Sequence, residues 1–361
     1  MVKTDDLDKS MVPGKVINHS PASSRKYIGS PGIVIMDEGK YLVSHDFFGP
    51  GSECKNTFIY KSENYGKSWT QIALLSGQWW SNLFEWKGNI YIFGTDKKDG
   101  KIVIRRSEDA GETWTIPENL NKGILTEKEG FHCAPMPVAN YQGRLWRAFE
   151  KRTGKETFSF VMSAPDDCNL LQAENWKITN KISHKMAGAV WREGNVVIDR
   201  KNEEIVNIIR FEPPEGGTAA ILHVGSQGNK LYFDPDRDII NFPGGSKKFT
   251  IRYDSETKKY WSLTNPVLDE YKGYDPERTR NVLALIKSSD LRHWSMVTVI
   301  LEHPEVKHHG FQYIDWRFER EDIVFVSRTA YDDGLGGAHN CHDANFLTFH
   351  RIKDFRSIYR V

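Results

Sequence analysis

A short turn motif recurs along this chain, and its spacing restricts the fold more than any other feature. Residues 62–69 read SENYGKSW and residues 107–114 read SEDAGETW, the two copies starting 45 residues apart. A looser copy, SSDLRHW, occupies 288–294, and a copy with an insertion runs from Ser163 to Trp176. The pattern Ser-x-x-x-Gly-x-x-Trp has a physical logic. Its acidic or Asn residue bonds the backbone of a tight turn, Gly supplies a positive φ, and Trp folds back as a packing anchor. Each copy follows a short apolar strand: FIYK before Ser62, KIVIRR before Ser107, FSFVM before Ser163 and LALIK before Ser288. Each is therefore read as the turn between the last two strands of a four-stranded sheet.

A motif repeating at this interval predicts a repetitive architecture. Turn-bounded, alternating strands precede the boxes, in GIVIMDEGKYLVSH, NLFEWKGNIYIFG and MPVANYQGRLWRAFE. Two further units, beginning GAVWREGNVVIDRKN and FQYIDWRFEREDIVF, lack a clean box, and KFTIRYDSETKKYWSLT leads into the box at 288. Six units result, starting near Pro31, Trp79, His132, Gly188, Ser246 and Gly310. Their length of roughly 50–60 residues is that of a four-stranded propeller blade. An aromatic content of 12% and 29 Gly suit pleated strands and tight turns. The expectation is an all-β, six-bladed β-propeller of antiparallel blades over residues 27–361. An N-terminal segment, 1–26, precedes it, and its stretch KVIN is a candidate strand to close the ring.

Charge and composition exclude other classes. Lys and Arg total 49 against 48 Asp and Glu, so the basic footprint of a nucleic-acid binder is missing and charge-driven recognition must be local. No stretch approaches the ~20 apolar residues of a membrane helix, and no membrane partner is expected. The first ten residues, MVKTDDLDKS, hold no apolar leader core. Had a leader been removed upstream, an extracellular or periplasmic location would follow. Cys54, Cys133, Cys168 and Cys341 lie far apart with no CxxC pair, and free thiols are expected.

The boxes resemble the Asp boxes, or bacterial neuraminidase repeats, and the chain from about residue 27 onward is similar to the six-bladed sialidase superfamily. That resemblance implies a carboxylate clamp of three Arg, an Asp acid/base and a nucleophilic Tyr paired with a Glu. Several of those positions differ here. Gly29-Ser30-Pro31 stands at the Arg-Ile-Pro motif, so Ser30 occupies the place of the first clamp Arg. Phe311 stands at the apparent Tyr position, and Met186-Ala187-Gly188-Ala189 offers no Glu. Arg210 alone sits where a clamp Arg is implied. The resemblance thus implies the fold without a standard sialidase site.

In a propeller, the loops entering the innermost strands and the hairpin tips after the second strands share one mouth. The polar residues there are the site candidates. His45 and Asp46, ending a strand before a Gly/Pro loop, form a candidate acid/base pair, and the alternative is a loop-capping Asp beside a hydrogen-bonded His. Glu53, Glu150 and Tyr331 are further catalytic candidates. Trp79 is a candidate sugar platform, and His132, Arg147, Arg210, Arg252 and Arg328 are candidates for binding an acidic sugar. His339 and His342 lie three apart on a Gly-rich loop, where hydrogen bonding explains them better than metal ligation, so no metal or cofactor is expected.

The functional expectation is a carbohydrate-active enzyme whose partner is an oligosaccharide or polysaccharide. The first reading is a glycoside hydrolase acting on a glycan with an acidic sugar, using two carboxylates or a carboxylate and a Tyr. A polysaccharide lyase, with His or Tyr as base, and a non-catalytic glycan-binding propeller are the alternatives.

Overall fold

In the computed structural model, which describes residues 9–359, six antiparallel sheets are arranged as a propeller. The first eight residues of the N-terminal segment and the last two of the chain lie outside the described residues. Blade one holds Tyr27–Ile28 and Gly32–Asp37 side by side against Lys40–Phe48, followed by Asn56–Ser62 and Thr70–Ser76. Blade two holds Trp79–Trp86, Asn89–Thr95 and Ile102–Ser107. Blade three is built on the long hairpin Arg144–Thr153 and Glu156–Pro165, with Phe131–His132 and Ala139–Tyr141 on its inner side. Blade four runs Val190–Asp199, Glu204–Glu212 and Thr218–Val224, with short outer strands. Blade five runs Thr250–Asp254, Lys259–Thr264, Val282–Ser288 and Trp294–Glu302. Blade six runs Gly310–Glu319, Asp322–Ala330 and Phe346–Ile352, and its outermost strand is Lys15–His19 from the other end of the chain. No helix among the described residues is long and apolar enough to cross a membrane.

The turn motif works as its residue types suggest. Ser62 Oγ accepts the Gly66 N–H at 3.0 Å, Asn64 Oδ1 accepts the Ser68 N–H at 2.9 Å, and Trp69 Nε1 donates to the Gly66 carbonyl at 3.0 Å. Ser107, Asp109, Gly111 and Trp114 repeat the arrangement. In the copy at 288–294 Leu291 takes the glycine position with φ 65°, and Trp294 Nε1 donates to its carbonyl. Leu291 is 1% exposed, so core burial offsets its backbone strain.

Blade two departs from the four-stranded expectation. After its box the chain reads TIPENLNKG and makes only an isolated bridge, Val103 to Ile124, against the third strand. Pro117 donates no ladder hydrogen bond, and Gly123, at φ 85°, turns the chain away. The cores lie between blades. Phe93 of blade two meets Phe149 and Trp176 of blade three, and Trp191 of blade four packs with Trp146 and Val161.

Two glycines of similar backbone separate packing from conformation. Gly66 has φ 77°, and a Cβ there would lie 2.3 Å from the Phe349 ring of blade six. Gly143 has φ 69° and open space around it. Gly143→Ala is expected to cost about 1 kcal/mol, the left-handed penalty alone. Gly66→Ala also displaces Phe349, which lies on the strand that Lys15–His19 pairs with, and is expected to cost roughly 2–4 kcal/mol. Urea midpoints of the two variants measure the difference, and equal midpoints would contradict it.

Candidate active site

At one end of the propeller axis lies a cavity of about 510 Å³, lined from blades one, two, three, four and six. Three of its lining residues arise from one local device. The innermost strands of blades two, four and six each slip register once, between Trp79 and Asn82, Arg192 and Gly194, and Gln312 and Asp315. Within each slip one residue that is not glycine is left-handed: Trp80 at φ 50°, Glu193 at φ 64° and Tyr313 at φ 55°. Regular pleating sends alternate side chains toward the two neighbouring blades, whereas a bulge re-aims one of them. All three line the cavity. Each left-handed residue costs on the order of 1–2 kcal/mol, strain of the kind that collects at functional sites.

Two of these residues form a pair. The Tyr313 hydroxyl donates to Glu193 Oε1 at 2.7 Å, and Arg210 Nη1 donates to Glu193 Oε2 at 2.9 Å. Burial pushes the Glu193 carboxyl up, but Arg210 and the Tyr313 hydroxyl outweigh it and hold the group below the usual carboxylate range. Burial and the Glu193 carboxylate raise the Tyr313 phenol. The resting pair is therefore a phenol hydrogen-bonded to a carboxylate. From Phe311 and Met186–Ala189 no Tyr or Glu is expected at these places. Both are present, two residues beyond Phe311 and four beyond Ala189, each within a register slip of its inner strand.

Asp46 stands in the same cavity and is 1% exposed. Its Oδ1 accepts the Ser30 N–H at 2.9 Å and its Oδ2 the Trp80 N–H at 2.7 Å. Burial pushes its carboxyl up to about 6 despite these bonds and the nearby Arg328. Gly29 makes the fit possible, since a Cβ there would come 1.7 Å from Asp46 Oδ1. Ser30 thus contributes its amide to Asp46 at the place where the resemblance implies an Arg.

Beside Asp46, His132 Nδ1 lies 2.8 Å from Glu150 Oε2, and Glu150 Oε1 accepts the Gly194 N–H at 3.2 Å. The cavity's cations are Lys98, Arg152, Arg192 and Arg328. Arg152 and Arg192 are paired with Asp99 and Glu212 at the rim. Arg328 is different. Its guanidinium lies 4.6 Å from the Phe48 ring centre and 4.3 Å from that of Tyr313, and Nε and Nη2 donate to the His342 carbonyl. It makes no ion pair among the described residues.

The other sequence candidates lie elsewhere. His45 is fully buried, bonded to Asn18 and to the Asp46 carbonyl and packed against Phe47, Phe58 and Tyr60. Burial lowers its imidazole to about 4, so it is neutral and does not face the cavity. Glu53 is exposed and paired with Lys55 at 3.1 Å. Tyr331 packs edge-on against His303 and His309, outside the cavity lining. Arg147 is buried against Phe93 and Phe149, with Nη2 on the Ala134 carbonyl. Arg210 lies behind Glu193 and is occupied by Glu193, Glu212 and Glu277. Arg252 lines a separate cavity of about 340 Å³ with Ile198 and Phe318, several residues farther along the inner strands, and pairs with Asp315. Asp46, Trp79, His132 and Arg328 do line the main cavity, and Glu150 supports His132 from below. Among the described residues, no cluster of three or more His, Cys, Asp or Glu is arranged to hold a metal.

No protein-family model and no curated protein matches the chain. Solved structures do. A protein of Dyadobacter fermentans described as of unknown function superposes with TM-score 0.61 at 12% identity, covering 95% of this chain and 98% of that one. The Penicillium chrysogenum α-L-arabinanase, complexed with arabinobiose, gives TM-score 0.58 at 15% identity over 94% and 97% of the two chains. The GH93 α-L-arabinofuranosidase of Fusarium graminearum, also with arabinobiose, gives 0.59 at 14% identity over the same shares. At such identities the likeness is one of fold.

Proposed function

We propose that this protein is a glycoside hydrolase acting on a glycan that carries an anionic group. The Tyr313–Glu193 pair, opening into the same cavity as Asp46, carries the reading. Glu193 takes the phenolic proton as the Tyr313 oxygen attacks the anomeric carbon, and Asp46 protonates the departing glycosidic oxygen. Asp46, now a carboxylate, then takes a proton from the water that attacks the glycosyl–Tyr313 bond, and Glu193 returns the proton to the phenol. The sum is hydrolysis, with the enzyme restored. A Tyr–Glu pair and an Asp acid/base are also what the resemblance to the sialidase superfamily implies. Two solved structures of similar fold hold arabinobiose, which supports a sugar as the ligand of this one. Arabinobiose is neutral, so the cations here point to a different, anionic glycan.

Arg328 would grip the anion. Locked between two rings, with Nη1 unpartnered among the described residues, it needs little ordering to bind. Arg328→Ala is expected to raise KM for an anionic substrate roughly 10–100-fold, with a smaller change in kcat. An unchanged KM would remove Arg328 from the binding set. A second reading, a polysaccharide lyase, is favoured by one observation: neutral His132, steadied by Glu150, beside Arg152 and Arg192. A panel of acidic and neutral glycans separates the readings. New reducing ends without absorbance from an unsaturated uronate support hydrolysis, and both signals together support the lyase. Silence with retained binding would leave a binding module.

A further inference from the structure

The hydrolytic steps above use Asp46, Glu193 and Tyr313 and leave one buried acid–base pair unused. Glu150 is fully buried, and both its oxygens are engaged across two blades. Oε2 meets His132 Nδ1, and Oε1 accepts the amide that directly follows Glu193. The His132 ring stands edge-on to Trp80, with centroids 4.4 Å apart, and lines the cavity. No described residue bonds its Nε2. We infer that Glu150 is a positioning residue that selects which ring nitrogen of His132 carries the proton, and so whether the cavity offers a bound glycan a donor or an acceptor. The inference rests on reading this cavity as the active site.

The logic is that of a shared proton. An ionised Glu150 accepts from Nδ1–H and leaves Nε2 as a bare lone pair. A neutral Glu150 donates its own proton to Nδ1, and the neutral ring must then carry its hydrogen on Nε2. The alternative, an imidazolium beside a carboxylate, is disfavoured by burial and by Arg152, Arg192 and Arg210, which hold His132 well below its ordinary value. Burial and the facing Glu193 carboxylate push Glu150 up to about 8, against the opposing pull of the Gly194 amide and Arg152. Cys133 and Arg147 also face the pair from its own blade. Near neutrality the ring thus presents Nε2–H, and in more alkaline solution it presents a lone pair.

The test uses the full chain with 15N-labelled His, following long-range proton–nitrogen correlations from about pH 6 to about pH 9. His132→Gln identifies the signal. In the wild type the proton is expected to move from Nε2 to Nδ1 as pH rises. In Glu150→Gln the side-chain NH2 donates to Nδ1 and the amide oxygen keeps the Gly194 bond, so Nε2–H should persist throughout. A wild type that holds one tautomer across the range overturns the inference without recourse to any variant, as does a Gln variant that tracks the wild type. On the substrate the glycan panel returns, Glu150→Gln should keep the Asp46 limb near pH 6 and lose only the further change the wild type shows around pH 8, with KM within about threefold. Superimposed pH profiles would also overturn the positioning role. A silent panel counts against the hydrolase reading, whereas the tautomer measurement needs no substrate.

Discussion

Tyr313→Phe is expected to lower kcat by roughly a thousandfold or more while leaving KM within several-fold of the wild type. The substitution removes one oxygen and little else. Phe keeps the ring on which the Arg328 guanidinium lies at 4.3 Å and meets the same left-handed backbone requirement at φ 55°. The Glu193 carboxylate retains Arg210, so the buried ion pair survives. The fold should be undisturbed, and the thermal midpoint should stay within a few degrees. A slow substrate that accumulates the glycosyl intermediate should add its sugar mass to a peptide containing Tyr313 in the wild type and not in the variant. Retention of more than about a tenth of kcat would remove Tyr313 as nucleophile, since a missing nucleophile costs far more than that. Glu193→Gln tests the partner less cleanly, because it also leaves Arg210 short of a charge.

The scaffold was far more legible than the site. Boxes at Ser62 and Ser107 fixed the blade length because each is a closed local unit, with Ser, an Asn or Asp, Gly and Trp all satisfied within eight residues. The site depends on direction, and two effects hid it. One is the parity of the strand. His45 and Asp46 are neighbours, so only one of them can face the cavity, and Asp46 does. The other is the bulge. Regular alternation puts Tyr313 on the same face as the buried Phe311, and only the slip between Gln312 and Asp315 turns it to the cavity. Gly194 directly after Glu193 is a signal that the ladder breaks there. Distance along a strand misled as well. Arg252 is an inner-strand residue, yet it lines the separate cavity with Phe318. Arg210 sat at an expected clamp position, but three carboxylates surround it, and sequence alone could not reveal that crowding.

Asp46→Ala is expected to produce the second large effect, and one that depends on the leaving group. For a natural glycan, whose departing oxygen needs a proton, kcat should fall roughly 100- to 10,000-fold. For an aryl glycoside with an acidic phenol the first step needs no proton, and the loss should be confined to the second step, where Asp46 activates water. Azide, which needs no base, should then restore turnover. The Ser30 and Trp80 amides freed by the substitution provide donors for it. The pH profile follows from the same group. Asp46 acts as an acid only while protonated, so wild-type kcat/KM should decline as pH rises through about 6. Glu193 must be ionised, and because its carboxyl is held low the acid limb should lie below the usual carboxylate range. Stability carries a matching signature. With a carboxyl raised from 3.8 to about 6, the folded state binds its proton more tightly than the unfolded chain. The stabilisation is complete below pH 3.8 and is lost as pH rises through about 6, by about 3 kcal/mol. Asp46→Ala lacks this loss, so its denaturation midpoint should fall less than that of the wild type between those pH values. Equal losses on natural and aryl substrates, with no response to azide, would show that Asp46 holds the Ser30 and Trp80 amides in place without passing a proton.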